Sequence, residues 1–274
     1  MAFKRIVRLD VGEAGEGLRI SGLNLDFSIE KSRSAAQNTA KFTIYNAQES
    51  TRNKILKKGN NLVFSLGYED ETVGTVFIGN IDTSYSYHNG VDWVTEIKAY
   101  TIQAKNQKLE TIPINYSYTA GTPIVRAINQ ISVVSGLVVN GLTNAAAITL
   151  PNGWVYTGTL MGALRYIRGV LEFNELSFFI DNSEIVIYKK GEASIFKTVL
   201  LTYTGGLQSI ENITKAEEDE KRVKFTSLII PSCRVGSVVT ARNTPQDGTY
   251  IVDKINLDGN NYGGDFRLEG EAVK

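Results

Sequence analysis

The chain has 274 residues, its 29 basic and 29 acidic side chains cancel, and 42% of it is hydrophobic. That length holds one large domain or two to three small ones, and a neutral chain offers no basic face on which to expect nucleic acid. A single cysteine, Cys233, excludes an internal disulfide framework and a cysteine zinc site.

The opening stretch, MAFKRIVRLDVGEAGEG, has no apolar core of signal-peptide length, and no segment approaches a membrane span. The expected place of folding is a reducing cytosol. Thirteen tyrosines and 25 glycines against two methionines point to β structure, and the first proline, Pro113, leaves room for long uninterrupted ladders.

From Ile6 to about Lys108 nearly everything reads as strand. Leu23, Leu25, Phe27 and Ile29 alternate, and so do Ala40, Phe42 and Ile44 in the next run, the period of half-buried strands. That run stops at Tyr45–Asn46, where Asn46 is a cap or turn residue, and Gln48 to Leu56 reads as two turns of charged helix. Further on, His88–Gly90 sits between two alternating runs, a hairpin signal. Six or seven strands with one small helix make a compact barrel or sandwich.

Composition changes near Pro113. Thr122–Pro123 reads as a cap followed by proline at the first helical position, with Ile124, Val125, Ala127, Ile128 and Ile131 as an apolar stripe. A second helix starts at Thr159 and carries Leu160, Leu164, Ile167, Val170 and Leu171 at helical spacing, before a hairpin turning at Asp181–Asn182. From about Ala193 strands return. The expected fold is mainly β with an α+β segment, divided as residues 1–109, 110–192 and 193–274.

Catalytic chemistry is sparse. His88 is the only histidine and lies beside a turn, where an exposed turn residue is the simpler reading than a triad member. Cys233 reads as a small buried hydrophobe or an inert thiol. The glycines of GEAGEG, residues 12–17, lead into a strand, so no helix terminus is there to receive a phosphate. The run from Leu257 to Asp265 has Asp and Asn at calcium-like spacing but lacks the closing glutamate, which leaves a glycine-rich hairpin turn. Four acids between Lys215 and Arg222 read as a solvated surface run. Asn115 and Asn212 head glycosylation triplets that mean little without a secretory signal. No catalytic residue, cofactor, metal or small-molecule substrate is expected.

Four stretches carry a likeness. They are the strand ending FTIYN with the helix STRNKI after it, GYEDETVGTVFIGNI at Gly67–Ile81, TGGLQSI at Thr204–Ile210, and the closing run from VKFTSLIIP to FRLEG. In order and spacing the chain resembles the central baseplate hub proteins of contractile phage tails and related injection devices, the late control protein D family. The resemblance implies two tail-tube-like barrels joined by an α+β unit. It implies no enzyme activity but a homotrimeric hub, with six barrels in a pseudo-sixfold ring between a hexameric tail tube and a trimeric central spike. Other baseplate proteins are further partners it suggests. DNA passes through as cargo, and the place of work is the virion tail, assembled in the host cytoplasm.

Within that reading the short helix packs along the barrel flank. Ile55 and Leu56 face their own barrel and Arg52, Lys54 and Lys57 face a neighbour; plugging one barrel end is the other placement. Tyr45, Asn46, Tyr85 and Tyr87 complete the candidate subunit interface, although strand-face packing explains the tyrosines equally well. A tube-initiator or distal-tail protein of a long flexible tail shares the barrel but stacks as a hexamer. A carbohydrate-binding β module would use exposed aromatics such as Trp93 and Trp154 in a groove.

Overall fold

The structure is a computed structural model. It describes residues 4–12, 17–33, 38–56, 61–69, 71–101, 103–104, 107–108, 111–189, 191–192, 196–213 and 221–274. The first segment holds β1 (Arg5–Gly12), β2 (Leu18–Ile20), β3 (Leu25–Ser32), β4 (Thr39–Tyr45), α1 (Glu49–Ile55), β5 (Asn61–Tyr68), β6 (Gly74–Asn89) and β7 (Asp92–Tyr100). The middle holds β8 (Pro113–Tyr118), α2 (Ile124–Ser135), β9 (Val138–Asn140), β10 (Trp154–Thr159), α3 (Leu160–Phe173), β11 (Leu176–Asp181) and β12 (Glu184–Lys189). The last holds β13 (Val199–Leu201), β14 (Leu207–Ile213), β15 (Arg222–Leu228), β16 (Val238–Ala241), β17 (Gly248–Asn260) and β18 (Phe266–Val273).

The two outer segments share one 13-stranded sheet in the order β14-β15-β18-β17-β3-β4-β7-β6-β5-β1-β2, with β16 also on β17 and β13 on β16. Alternation along each strand puts one face in the core: Leu25, Phe27 and Ile29 are buried while Asp26, Ser28 and Glu30 are not. The sheet cannot be flat. Phe27 and Phe64 have ring centroids 5.0 Å apart, yet β3 and β5 lie four strand places apart, about 19 Å in a flat sheet. Curling over the shared phenylalanines explains the contact. The two free ends of the first half, β2 and β3, are joined by only residues 21–24, and those of the last, β13 and β14, by a short turn at Tyr203–Gly205.

The halves repeat one plan. The order β3-β4-β7-β6-β5-β1 recurs as β14-β15-β18-β17-β16-β13. Registers agree: Lys41, Phe42 and Thr43 face Lys98, Ile97 and Glu96, while Lys224, Phe225 and Thr226 face Glu271, Gly270 and Glu269. One pair differs, since β13 runs parallel to β16 whereas β1 runs antiparallel to β5. The joint between the halves is β17. Its start, Gly248–Ile251, pairs with β16, and from Lys254 to Asn260 it pairs with β3. Between these lies a bulge at Asp253, whose carboxylate accepts from Arg33 and Arg222, each at 3.1 Å. Arg222, expected in a solvated run, is therefore buried and paired; residues 215–220 of that run lie outside the described residues.

In the middle segment α2 and α3 cover the β9-β12-β11 sheet and the β8–β10 ribbon around a separate apolar cluster. Thr159 caps α3 by accepting from the Gly162 N–H at 3.2 Å. Thr122 does not cap α2, because its hydroxyl donates instead to the Thr119 carbonyl at 2.7 Å and Pro123 stands in the cap position. Strand β11 is buried on both faces, as a continuous apolar run should be. Phe178 and Ile180 face the middle cluster, and Phe179 on the other face enters the core of the large sheet.

Candidate functional site

The first place to look for function is the end of the first half, where α1 meets the β6–β7 ribbon. Asn46 ends β4 in the left-handed region, φ 54°. Its side chain donates to Asp92 at 2.8 Å and accepts from the Trp93 N–H at 3.0 Å, which ties the turn to the ribbon. Arg52 donates to the Ala47 carbonyl at 2.7 Å and lays its guanidinium 3.9 Å from the Trp93 ring. Thus Arg52 and Asn46 are engaged within their own chain, and α1 is pinned by a cation–π contact as well as by buried Ile55. Leu56, expected to face the barrel, is 38% exposed instead, because the helix has ended at Ile55. Lys54 is on the surface, and Lys57 lies outside the described residues.

Tyr85 and Tyr87 stand exposed on one face of the ribbon, stacked with centroids 5.9 Å apart and planes 21° apart. Both hydroxyls donate to Glu96, at 2.5 and 2.8 Å. Those two hydrogen bonds hold the Glu96 carboxyl below its ordinary range and push both phenols up. Tyr45 sits in the same row of the sheet, donating to Asp26 at 2.8 Å. The ribbon ends in Val91, which is 95% exposed. The four candidates Tyr45, Asn46, Tyr85 and Tyr87 are thus brought to one end of the first half.

Two other constellations were not legible as sites. In the first, Lys31 and Asp181, both buried, pair at 2.7 Å, and Arg234 reaches Asp181 and Glu184 at 2.9 Å each. Lys31 also donates to Asn182 at 2.9 Å. Burial pushes the Asp181 carboxyl up, but Lys31 and Arg234 outweigh it and hold it below its ordinary value. Burial pulls the Lys31 ammonium down, and Asp181 offsets only part of that. All three segments meet here, the first through Lys31, the middle through Asp181, Asn182 and Glu184, and the last through Arg234, so the cluster is a three-way joint.

In the second, the β17–β18 loop reaches across to the first segment. The Arg5 guanidinium donates to the carbonyls of Asn260, Gly263 and Asp265 at 2.7, 2.9 and 3.3 Å and of Gly264 at 2.8 Å. The turn with calcium-like spacing therefore does gather oxygens round a cation, and that cation is Arg5. Asn261 ties the same loop to Leu23 and Leu25, and Tyr262 to Gly22, across the gap between β2 and β3.

Among the described residues no three His, Cys, Asp or Glu side chains converge on a metal-sized space. The Cys233 thiol is buried and pushed up to about 12, far from a nucleophile. Trp154 is 6% exposed and stacked on Tyr118 and Tyr166, and Trp93 carries His88 and Arg52. Both indoles are thus engaged by side chains of their own chain.

No curated protein matches the sequence significantly. Solved structures share its fold. The MuSo2 prophage 43 kDa tail protein of Shewanella oneidensis superposes with a TM-score of 0.69 at 10% identity, over 98% of each chain. A tail protein of Neisseria meningitidis MC58 gives 0.66 at 9%, over 98% of this chain and 96% of that one. The Escherichia coli protein c3393, a type VI secretion component described as similar to T4 tail proteins gp27 and gp5, gives 0.62 at 10%, over 91% and 73%. The sequence profile of the baseplate hub gp41 family matches residues 6–272. By that match, which spans nearly the whole chain, the protein belongs to the baseplate hub gp41 family, structural components of phage tail baseplates.

Proposed function

We propose that the chain is the structural hub of a contractile tail baseplate, a homotrimer that adapts a hexameric tail tube to a trimeric spike around the DNA channel. The observation that carries this is the repeated strand order: three copies of a chain with two like halves present six like units to a tube and three to a spike. Residues 1–109 and 193–274 would supply the ring units and 110–192 the connecting unit. The hub joins the virion tail after assembly in the host cytoplasm.

The outer face of the joined sheet supports a passage for DNA. From β15 to β7 it is one polar surface of mixed sign, with Lys224 beside Glu271, Arg267 beside Asp258, and Lys41 beside Lys98. Such a wall offers no continuous basic track to hold phosphates.

The test is absolute mass by light scattering across a dilution series, followed by mixing with tube and spike proteins. A trimer that binds both is the expected result. A hexamer that stacks on itself would replace this reading with the tube-initiator or distal-tail one.

A further inference from the structure

Among the described residues, the repeat leaves each chain with two strand edges that have a counterpart in the other half and no occupant. In the first half β3 gives its outer edge to β17. Strand β14 holds the place of β3 in the second half, and no ladder runs along its outer edge among the described residues. Strand β6 holds the place of β17. It pairs with β5 only through Gly74–Asn80, then continues beside β7 to Asn89 with no ladder on its other side among the described residues.

The likeness extends to the irregularity. Both long strands carry a bulge at an aspartate where they leave their first neighbour, Asp82 in β6 and Asp253 in β17. Beyond it β17 turns its edge to β3, and β6 has the same length of edge to offer. An unpaired edge of this kind is a template for another strand.

We propose that residues 83–89 of β6 take β14 of a second copy as an antiparallel neighbour, in the register that joins β17 to β3 within one chain. This rests on the ring assembly proposed above and names the contact that builds it. Within the chain Asp258 faces Ser28 and Asn256 faces Glu30. Carried over through the matching ladders, Tyr87 faces Glu211 of the second copy and Tyr85 faces its Ile213. The two stacked tyrosines thereby lie along the joint. Because the joint uses two different edges, copies add head to tail, and the assembly closes when the rotations sum to a full turn.

Directly opposed positions in an antiparallel pair lie about 4.5–5.5 Å apart, inside the Cα range of a disulfide. The test is a chain carrying Tyr87→Cys and Glu211→Cys, oxidised mildly and run on a non-reducing gel. Cys233, buried and weakly acidic, does not compete. The expected products are covalent chain-to-chain species ending in a closed trimer. Mixing the two single variants should give linked dimers only. Tyr87→Cys with Asn212→Cys, whose second side chain points to the other face, should stay unlinked. Cross-links that end in a ring of another size would uphold the joint and overturn the threefold hub. A trimer by light scattering without cross-links would overturn the joint and leave the hub standing. A chain that stays monomeric and unlinked at the highest concentration would also overturn the joint.

Discussion

Lys31 stands where the alternation of β3 puts a core residue, and it is 3% exposed. Such a side chain is tolerated only because Asp181 meets it and Arg234 meets Asp181 from the other side. Asp181→Asn removes the one full negative charge between two cations, and a broken buried pair costs on the order of 3–5 kcal/mol. Urea unfolding at about pH 7 should show that loss. Asp181 has a folded pKa below its unfolded value of about 3.9. Its contribution is therefore complete above that value and fades as pH falls through the folded one. The gap between wild type and variant should accordingly narrow below about pH 4. Gly270 is constrained differently: a Cβ there would lie 2.3 Å from the Phe225 ring, which is fully buried and has no room to withdraw. Gly270→Ala should cost about 1–3 kcal/mol by overpacking, read from the same melts.

At the scale of elements, the β6–β7 ribbon separates folding from assembly. Tyr85 and Tyr87 are exposed, so the double change to alanine should leave the melting temperature of the isolated chain almost unmoved while shifting its self-association to higher concentration, measured by sedimentation. The Asn260–Asp265 loop should respond to Arg5→Met, which strands four carbonyls; its amides should then exchange hydrogen faster while β17 and β18 stay protected. The strands themselves were legible because a sheet with one wet face keeps a period of two. What was hidden has a physical reason. A ladder between β3 and β17 leaves no local period in either strand. Lys31 and Arg222 look solvated because their partners are distant in sequence. The repeat did leave a trace, Lys41-Phe42-Thr43 and Lys224-Phe225-Thr226, but three residues are too few to stand out. The candidate interface residues were found as aromatics and charges near a ribbon; that Asn46 and Arg52 are engaged at home depends on Trp93, which sequence alone does not bring to them.

For the whole molecule, contacts cross the boundaries between the segments. The outer segments share a sheet, and Phe179 and Val186 of the middle one enter its core. Unfolding should then be one transition, with tryptophan fluorescence, which reports Trp93 and Trp154, coinciding with far-ultraviolet circular dichroism. Phe179→Ala should lower stability by about 3–5 kcal/mol and is the change most suited to splitting that transition in two.

The pairing of β3 with β17, and the Leu25–Asn261 bond beside it 236 residues apart, also sets a problem of timing. On a ribosome adding roughly 5–20 residues per second, the edge of β3 emerges well before the strand that covers it exists. For that interval the nascent first half carries a bare template, and on a polysome the nearest strand able to fit it belongs to another chain. Growing chains must therefore either shield that edge or exchange halves, and swapped dimers should be the characteristic error of overproduction.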